Sequence, residues 1–287
     1  MASLGGAFEA QIMMDDALGS SLEPPRRSRR LRVSPWRSVV FLLAGIYFIA
    51  PFYAGMKFAL EGPSGHFSFI SVEQLASAPN FAPAFWLSMR LAAVTLVLSA
   101  LIVVPTVIYV HLRLPRLRRL LEFITILPIV IPPIVLILGV LEASPLWIKS
   151  SPYLLSFEYV VLSLPFAYRS LDAGLSAIDL KILVEASRSL GGNWFKTMWR
   201  VILPNIRPAL LSAMVLTLAL VLGEFTMASL DLWETIPVWI VQNNSLPNGH
   251  IQIAAAMLGL VGTWALLTVI VLIDRTDARR RKSMARS

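Results

Sequence analysis

The sequence predicts an all-α membrane protein with six transmembrane helices, and three observations lead there. Apolar residues fill 56% of the 287 positions, charged residues only 15%, and the mean hydropathy is +0.70; soluble domains carry about 25% charged residues. Six stretches come close to the roughly 20 apolar residues that a helix needs to cross a hydrocarbon core. The basic residues between those stretches fall almost entirely on alternate loops, as the positive-inside rule requires.

Residues 1–37 are polar and end in Arg26, Arg27, Arg29, Arg30, Arg32 and Arg37. They read as a disordered, basic cytoplasmic tail. The apolar run that follows is too long for a signal-peptide core and has no small-residue cleavage site. The first span, Ser38 to Met56, is free of charge. The second runs from Leu91 to Val110 and starts nearer Phe85, which places Arg90 inside it. The third, Phe123 to Leu141, is uncharged but holds Pro128, Pro132 and Pro133. The fourth, Leu154 to Leu171, is interrupted by Glu158 and Arg169. The fifth, Ala209 to Leu230, has the single charge Glu224, and the sixth, Ile251 to Ile273, has none. Ala255, Gly259 and Gly262 in the last span would let helices approach closely.

Six spans put both termini on one side. The N-terminal tail carries six Arg and Lys, the loop His111 to Leu120 four, the loop Arg169 to Arg207 six, and the tail from Arg275 onward six. Of the 25 basic residues only Lys57, Arg90 and Lys149 lie near the other face. Both termini are therefore expected in the cytoplasm of a bacterial cell whose inner membrane holds the protein. The domain plan is a tail over 1–37, a transmembrane domain over 38–273 and a basic tail over 274–287.

Several classes are excluded. With no cysteine there is neither a disulfide framework nor a thiolate metal site. His66, His111 and His250 lack metal-ligand spacing and read as loop or interfacial residues. The net charge of +8 flanks apolar spans, so it points to membrane lipid and not to nucleic acid. No Gly-x-x-x-x-Gly-Lys-Ser/Thr loop is present to cradle a nucleotide phosphate. Nor is there a catalytic triad or acid pair near a histidine. The chain reads as no enzyme, with no cofactor of its own.

The most informative stretch is the loop over 172–208. Asp179 can cap a helix that Gly191 stops, and Asn193 can cap a second helix running to about Leu203, where Pro204 ends it. Leu183, Ala186, Leu190, Trp194, Met198 and Val201 then form one apolar stripe, bent at Gly191-Gly192. Two readings are open from the residues alone: a helix pair lying against headgroups, or a docking surface for a soluble partner.

Glu185-Ala186-Ser187, three residues, Gly191, nine residues, then Val201, Ile202, Leu203 and Pro204 resembles the EAA motif of binding-protein-dependent ABC importer permeases. The pattern departs at Ser187, where the family has a third small residue, and at Val201, where it has isoleucine. The resemblance implies a type I ABC importer permease fold with cytoplasmic coupling helices. Glu185, Ala186, Ser187, Gly191, Leu203 and Pro204 would then dock a separate cytoplasmic ATP-binding dimer, with ATP and Mg on that partner. It also implies an extracytoplasmic solute-binding protein and a second permease subunit, expected to be a different chain.

Arg90, Glu158 and Glu224 are the ionisable residues inside spans, where such groups are costly and tend to face a cavity. Three readings stay open: Arg90 pairs with one of the carboxylates as internal glue, Glu224 or Glu158 lines the outer mouth of the solute pathway, or the groups snorkel to the interface, Arg90 with its long side chain above all. Gly223-Glu224-Phe225-Thr226 and Leu164-Pro165-Phe166-Ala167-Tyr168-Arg169 resemble the spermidine/putrescine branch of the family, which implies a polyamine or another small cationic solute. The alternative class is a stand-alone secondary transporter or channel, which would show internal repeats; no clear repeat is visible.

Overall fold

The computed structural model describes residues 35–61, 66–243 and 249–284, so the expected N-terminal tail lies almost wholly outside the described residues. Helix α1 covers Pro35–Ala59, with proline at its first turn, where a missing N–H costs nothing. The chain divides into two units at Pro51.

Helix α2 is Ile70–Ala76 and α3 is Phe81–Arg113. A single 3₁₀ turn, Pro115–Leu117, leads into α4, Arg118–Val130. Then come α5, Pro133–Ala143, the short α6, Leu146–Lys149, and α7, Tyr153–Ser176. The projecting loop holds α8, Leu180–Ser189, and α9, Trp194–Thr197. A π turn, Met198–Ile202, joins α9 to α10, Leu203–Asn205. Helix α11 is Arg207–Gly223, α12 is Thr226–Leu230, α13 is Ile236–Gln242, and α14 is Gly249–Met284.

Among the described residues, three helical segments are long and apolar enough to cross a membrane: Trp36–Ala59, Phe81–Arg113 and Gly249–Val269. The other expected spans take a different form. The third is broken: Pro115–Val130 and Pro133–Ala143 meet at 102°. The cause is local. Pro132 forces Ile131 out of the helical region, to φ −77° and ψ 125°, and neither Pro132 nor Pro133 has an N–H to continue the ladder. The fourth is one helix, α7, but its Glu158, Arg169 and Asp172 keep it from qualifying by composition. The fifth stops at Gly223, seven residues before the expected end at Leu230, because Glu224 turns extended (φ −76°, ψ 124°). It meets the loop segment Trp194–Asn205 at 78°.

Helices α3, α7 and α11 form the centre. At the loop end, Val103, Val107, Ile108, Tyr168, Leu171 and Ala213 are buried in one cluster with Leu180, Val184, Ile202 and Ile206. Thus the loop shares a core with the bundle. At the far end, Leu91, Ile137, Leu155, Tyr159, Leu218, Val221 and Met227 form a second cluster. Ser88 Oγ accepts from the Ile236 N–H at 2.9 Å and ties α13 to α3 there. Trp239, fully buried, donates from its indole to the Pro79 carbonyl at 2.8 Å.

Small residues in α14 behave unequally. Ala255 is fully buried, but a Cβ at Gly259 or Gly262 would meet nothing within 4 Å. The close approach expected from them occurs elsewhere. A Cβ at Gly174 would lie 2.2 Å from Ala209 Cβ, so the absence of a side chain on α7 sets how near α11 comes.

Gly174→Ala is therefore expected to destabilise the detergent-solubilised protein by about 1–3 kcal/mol, the usual range for overpacking. The readout is a lower apparent unfolding midpoint, and Ala209→Gly in the same chain should restore most of it.

Candidate functional site: the projecting loop and the buried carboxylates

The loop is held by short-range hydrogen bonds that fix each end of α8 and the start of α9. Asp179 Oδ1 accepts from the Ile182 N–H at 3.2 Å, and Asn193 Oδ1 accepts from the Lys196 N–H at 2.8 Å. Each satisfies a backbone donor that a helix start leaves without an intrahelical partner. At the other end of α8, Gly191 turns left-handed at φ +74°. Gly191 N–H donates to the Arg188 carbonyl at 2.9 Å, and Gly192 N–H to the Ser187 carbonyl at 2.9 Å.

The two glycines divide the work. Around Gly191 there is open space, so only its backbone angle demands glycine. Gly192 is the crowded one: a Cβ there would meet Ser187 Oγ at 2.6 Å and the Ser187 carbonyl oxygen at 2.7 Å. Ser187, one of the two departures from the EAA pattern, makes a hydroxyl–hydroxyl bond of 2.8 Å to Thr197, itself buried. That bond ties α8 to α9 across the glycine turn.

Pro204 does not end the second helix. The chain stays helical through Asn205 because the π turn intervenes: Leu203 N–H reaches back five residues to the Met198 carbonyl. The Val201 carbonyl accepts from the Asn205 side-chain amide at 2.7 Å. Widening the turn accommodates a ring that a regular ladder would reject.

The expected apolar stripe is split. Leu183, Met198 and Val201 are half-buried, while Ala186, Leu190 and Trp194 are exposed. The face that packs on the bundle is instead Leu180, Val184, Thr197, Ile202 and Ile206. The reason is that α8 follows α7 after only three residues and packs into the cluster that holds Leu171 and Leu175, so its inward face is set there and not by the loop's own periodicity. What remains outside is an apolar surface: Leu190 is 89% exposed, Phe195 69%, Ile182 63% and Trp199 59%. The Phe195 and Trp199 rings lie 6.0 Å apart. Glu185 is exposed beside them; its carbonyl accepts from Ser189 Oγ at 3.0 Å.

The three ionisable residues of the spans lie toward the end of the bundle away from the loop, but they do not form one pair. Glu224 caps α12: Oε1 accepts from the Met227 N–H at 2.8 Å and Oε2 from the Ala228 N–H at 3.2 Å. Glu158 is 2% exposed, and among the described residues neither of its oxygens has a hydrogen-bond partner. Asp231 and Glu224 lie near it. The Tyr159 hydroxyl lies beside Glu224 and the Trp233 indole beside Asp231, while Thr235 Oγ1 is buried with no partner among the described residues. Arg90 is exposed and, among the described residues, makes no ion pair with either carboxylate. The internal-glue reading therefore finds no support. Asp231 had no signal in the chain, since it joins Glu158 only through the fold. Gly192 did have one, in the Gly-Gly pair.

Together the fold and loop define a helical membrane protein with a built projection at one end of its bundle. Residues 108–282 match the family of binding-protein-dependent transport system inner membrane components, and the chain belongs to that family. It is 30% identical over 196 residues to the molybdenum transport system permease protein of Mycobacterium tuberculosis, covering 64% of this chain and 71% of the relative. It is 26% identical over 197 residues to the spermidine/putrescine transport system permease protein of Haemophilus influenzae, at 61% and 68% coverage. A ferric transport system permease protein of Actinobacillus pleuropneumoniae is 37% identical over 101 residues; that match covers 34% of this chain and 15% of the relative. The family is one of transport permeases, not of enzymes. The solutes in these names differ, so they do not single out the polyamine branch.

Gly192→Ala is expected to disturb the loop more than Gly191→Ala does, because it pushes on the Ser187 backbone whereas Gly191→Ala strains one dihedral by about 1–2 kcal/mol. Hydrogen exchange over 180–205 reads this. Equal protection in the two variants would contradict the division between the glycines.

Proposed function

We propose that this chain is the six-span permease subunit of an ATP-driven importer and that α8 and α9 couple it to a separate cytoplasmic ATPase dimer. The carrying observation is the exposed apolar surface of Ile182, Leu190, Phe195 and Trp199 on a loop whose other face is packed into the bundle. A folded loop does not leave such side chains in water without a partner. Glu185 beside them supplies a charge for a basic residue across the contact, and Gly191 sets the turn that presents both helices. Ala186, Ser187, Leu203 and Pro204 hold the helices in that pose. Both termini lie in the cytoplasm, and ATP and Mg reside on the partner. A second permease chain completes the pathway, and an extracytoplasmic binding protein delivers the solute.

For the solute, the far end of the bundle favours a cation. Glu158 is buried with free oxygens, its charged neighbours Asp231 and Glu224 are both acidic, and Arg90 stands apart. A polyamine or another small cationic solute fits it.

An affinity pull-down from native membranes tests the coupling. A Walker-A ATPase is expected with the unmodified chain and should be lost with Glu185→Lys or Leu190→Asp at unchanged membrane insertion. Undiminished recovery with both variants would sink the docking assignment. Uptake into vesicles holding the assembled transporter tests the solute. Labelled putrescine should enter, and Glu158→Gln should slow it about tenfold, equivalent to roughly 1.4 kcal/mol. Entry of molybdate alone would overturn the cationic reading.

A further inference from the structure

At the loop end of the bundle one carboxylate joins three helices. Asp172, four residues before the end of α7, accepts from Arg118 Nε at 2.7 Å and from Arg118 Nη2 at 2.6 Å. His111 Nε2 lies 3.2 Å from the same carboxylate. Arg118 is the first residue of α4, and His111 stands near the end of α3. The Arg118 Nη2 also donates to Ser176 Oγ at 2.7 Å, and the Tyr168 hydroxyl donates to the Arg118 carbonyl at 3.1 Å. His111 Nδ1 faces the Val107 carbonyl of its own helix at 3.0 Å. The ring is 9% exposed and the carboxylate 23%. A forked arginine–carboxylate pair fixes orientation as well as distance.

What the clamp connects matters more than its strength. Only Ala177, Ile178 and Asp179 separate Ser176 from α8, and Leu175, Leu180 and Val184 share one buried cluster with Tyr168 and Leu171. The root of α8 thus follows α7 after a short break at Asp179, whose ψ of 84° leaves the helical region, and is tied to α7 by this shared cluster. On the other side, α4 packs along α7, with Thr125 and Pro128 buried and Leu121 set against the shared cluster, while Phe123, Ile124, Ile129 and Val130 are exposed. Its far end is the 102° break. The forked pair at its first residue adds a directional contact to this packing, at the end of α4 nearest α8.

We propose that Asp172 is a positioning residue that locks the root of α8 to the start of α4, so that a displacement of α8 is carried to the broken pair α4–α5. The proposal rests on the reading of α8 as the coupling helix. Arg118 is the receiving end. Lysine cannot replace it, because a point charge lacks the fork that fixes orientation. His111 adds α3 to the same carboxylate.

The chain has no cysteine, so spin labels can be placed without background. Two labelled pairs, Ser189→Cys with Phe69→Cys and Phe123→Cys with Phe69→Cys, report α8 and α4 against one reference. Each is measured by pulsed dipolar spectroscopy in the complete transporter in nanodiscs, without nucleotide and with ATP-vanadate. In the otherwise unmodified chain both distances should shift. In Asp172→Asn and in Arg118→Lys the α8 distance should still shift, while the α4 distribution roughly doubles in width and stops responding. Exchange of the pair, Asp172→Arg with Arg118→Asp, should restore at least part of the α4 response. If α8 itself does not respond in the unmodified chain, the coupling reading falls and the proposal with it. If α8 responds and Asp172→Asn leaves the α4 response intact, the proposal alone is overturned.

Discussion

The structure depends on one constraint: a backbone N–H or C=O that leaves a helix inside an apolar medium must find another partner. Each interruption of the spans can be traced to how that demand is met. At Ile131–Pro132, the Ile131 N–H still reaches the Leu127 carbonyl at 2.9 Å, and Val135 N–H restarts the ladder on the Pro132 carbonyl at 2.9 Å. The two prolines bring no donor to be orphaned. At Gly223–Glu224 the interruption is capped by the side chain of Glu224 itself. An acidic residue in a span thus has a structural use that does not involve solute.

Glu158 is a different matter. Its neighbour in charge, Glu224, is engaged by two backbone donors, whereas Glu158 is buried beyond reach of any. Burying a carboxyl without hydrogen bonds is costly. At the loop end Asp172 is answered by the forked pair with Arg118, the caps are filled, and Ser187 meets Thr197, while the His111 Nε2 beside Asp172 has no hydrogen-bond partner among the described residues.

Features that act within a few residues of each other were legible in the chain. Asp179 and Asn193 cap helices by bonds three residues long, and Gly191 stops α8 by its own dihedral angle, so residue type and position sufficed. The spans of α1, α3 and α14 were legible because uncharged length alone defines them. What escaped the sequence has three causes. The Arg118–Asp172 clamp joins residues 54 apart, and nothing along the chain announces which arginine of a basic loop turns inward. Glu224 was misjudged although its cap is local, because a charge inside an apolar run drew attention to its cost and away from the N–H groups three and four residues on. The stripe of the loop failed for a third reason: α8 takes its facing from α7, so the periodicity of the segment by itself does not decide which side is buried.

The π turn at Met198–Ile202 has a consequence for how the loop surface is encoded. A π turn is equivalent to one residue more than a regular turn needs, and each residue of an α-helix advances the chain by about 100°. Without that surplus, the segment holding Phe195 would swing by about that angle relative to α10 and the bundle below it, and its aromatic side would no longer face outward. The direction in which the surface looks is therefore written in the number of residues between Asn193 and Pro204, independently of which residues they are. Insertions or deletions of a single position would be felt there more sharply than most substitutions.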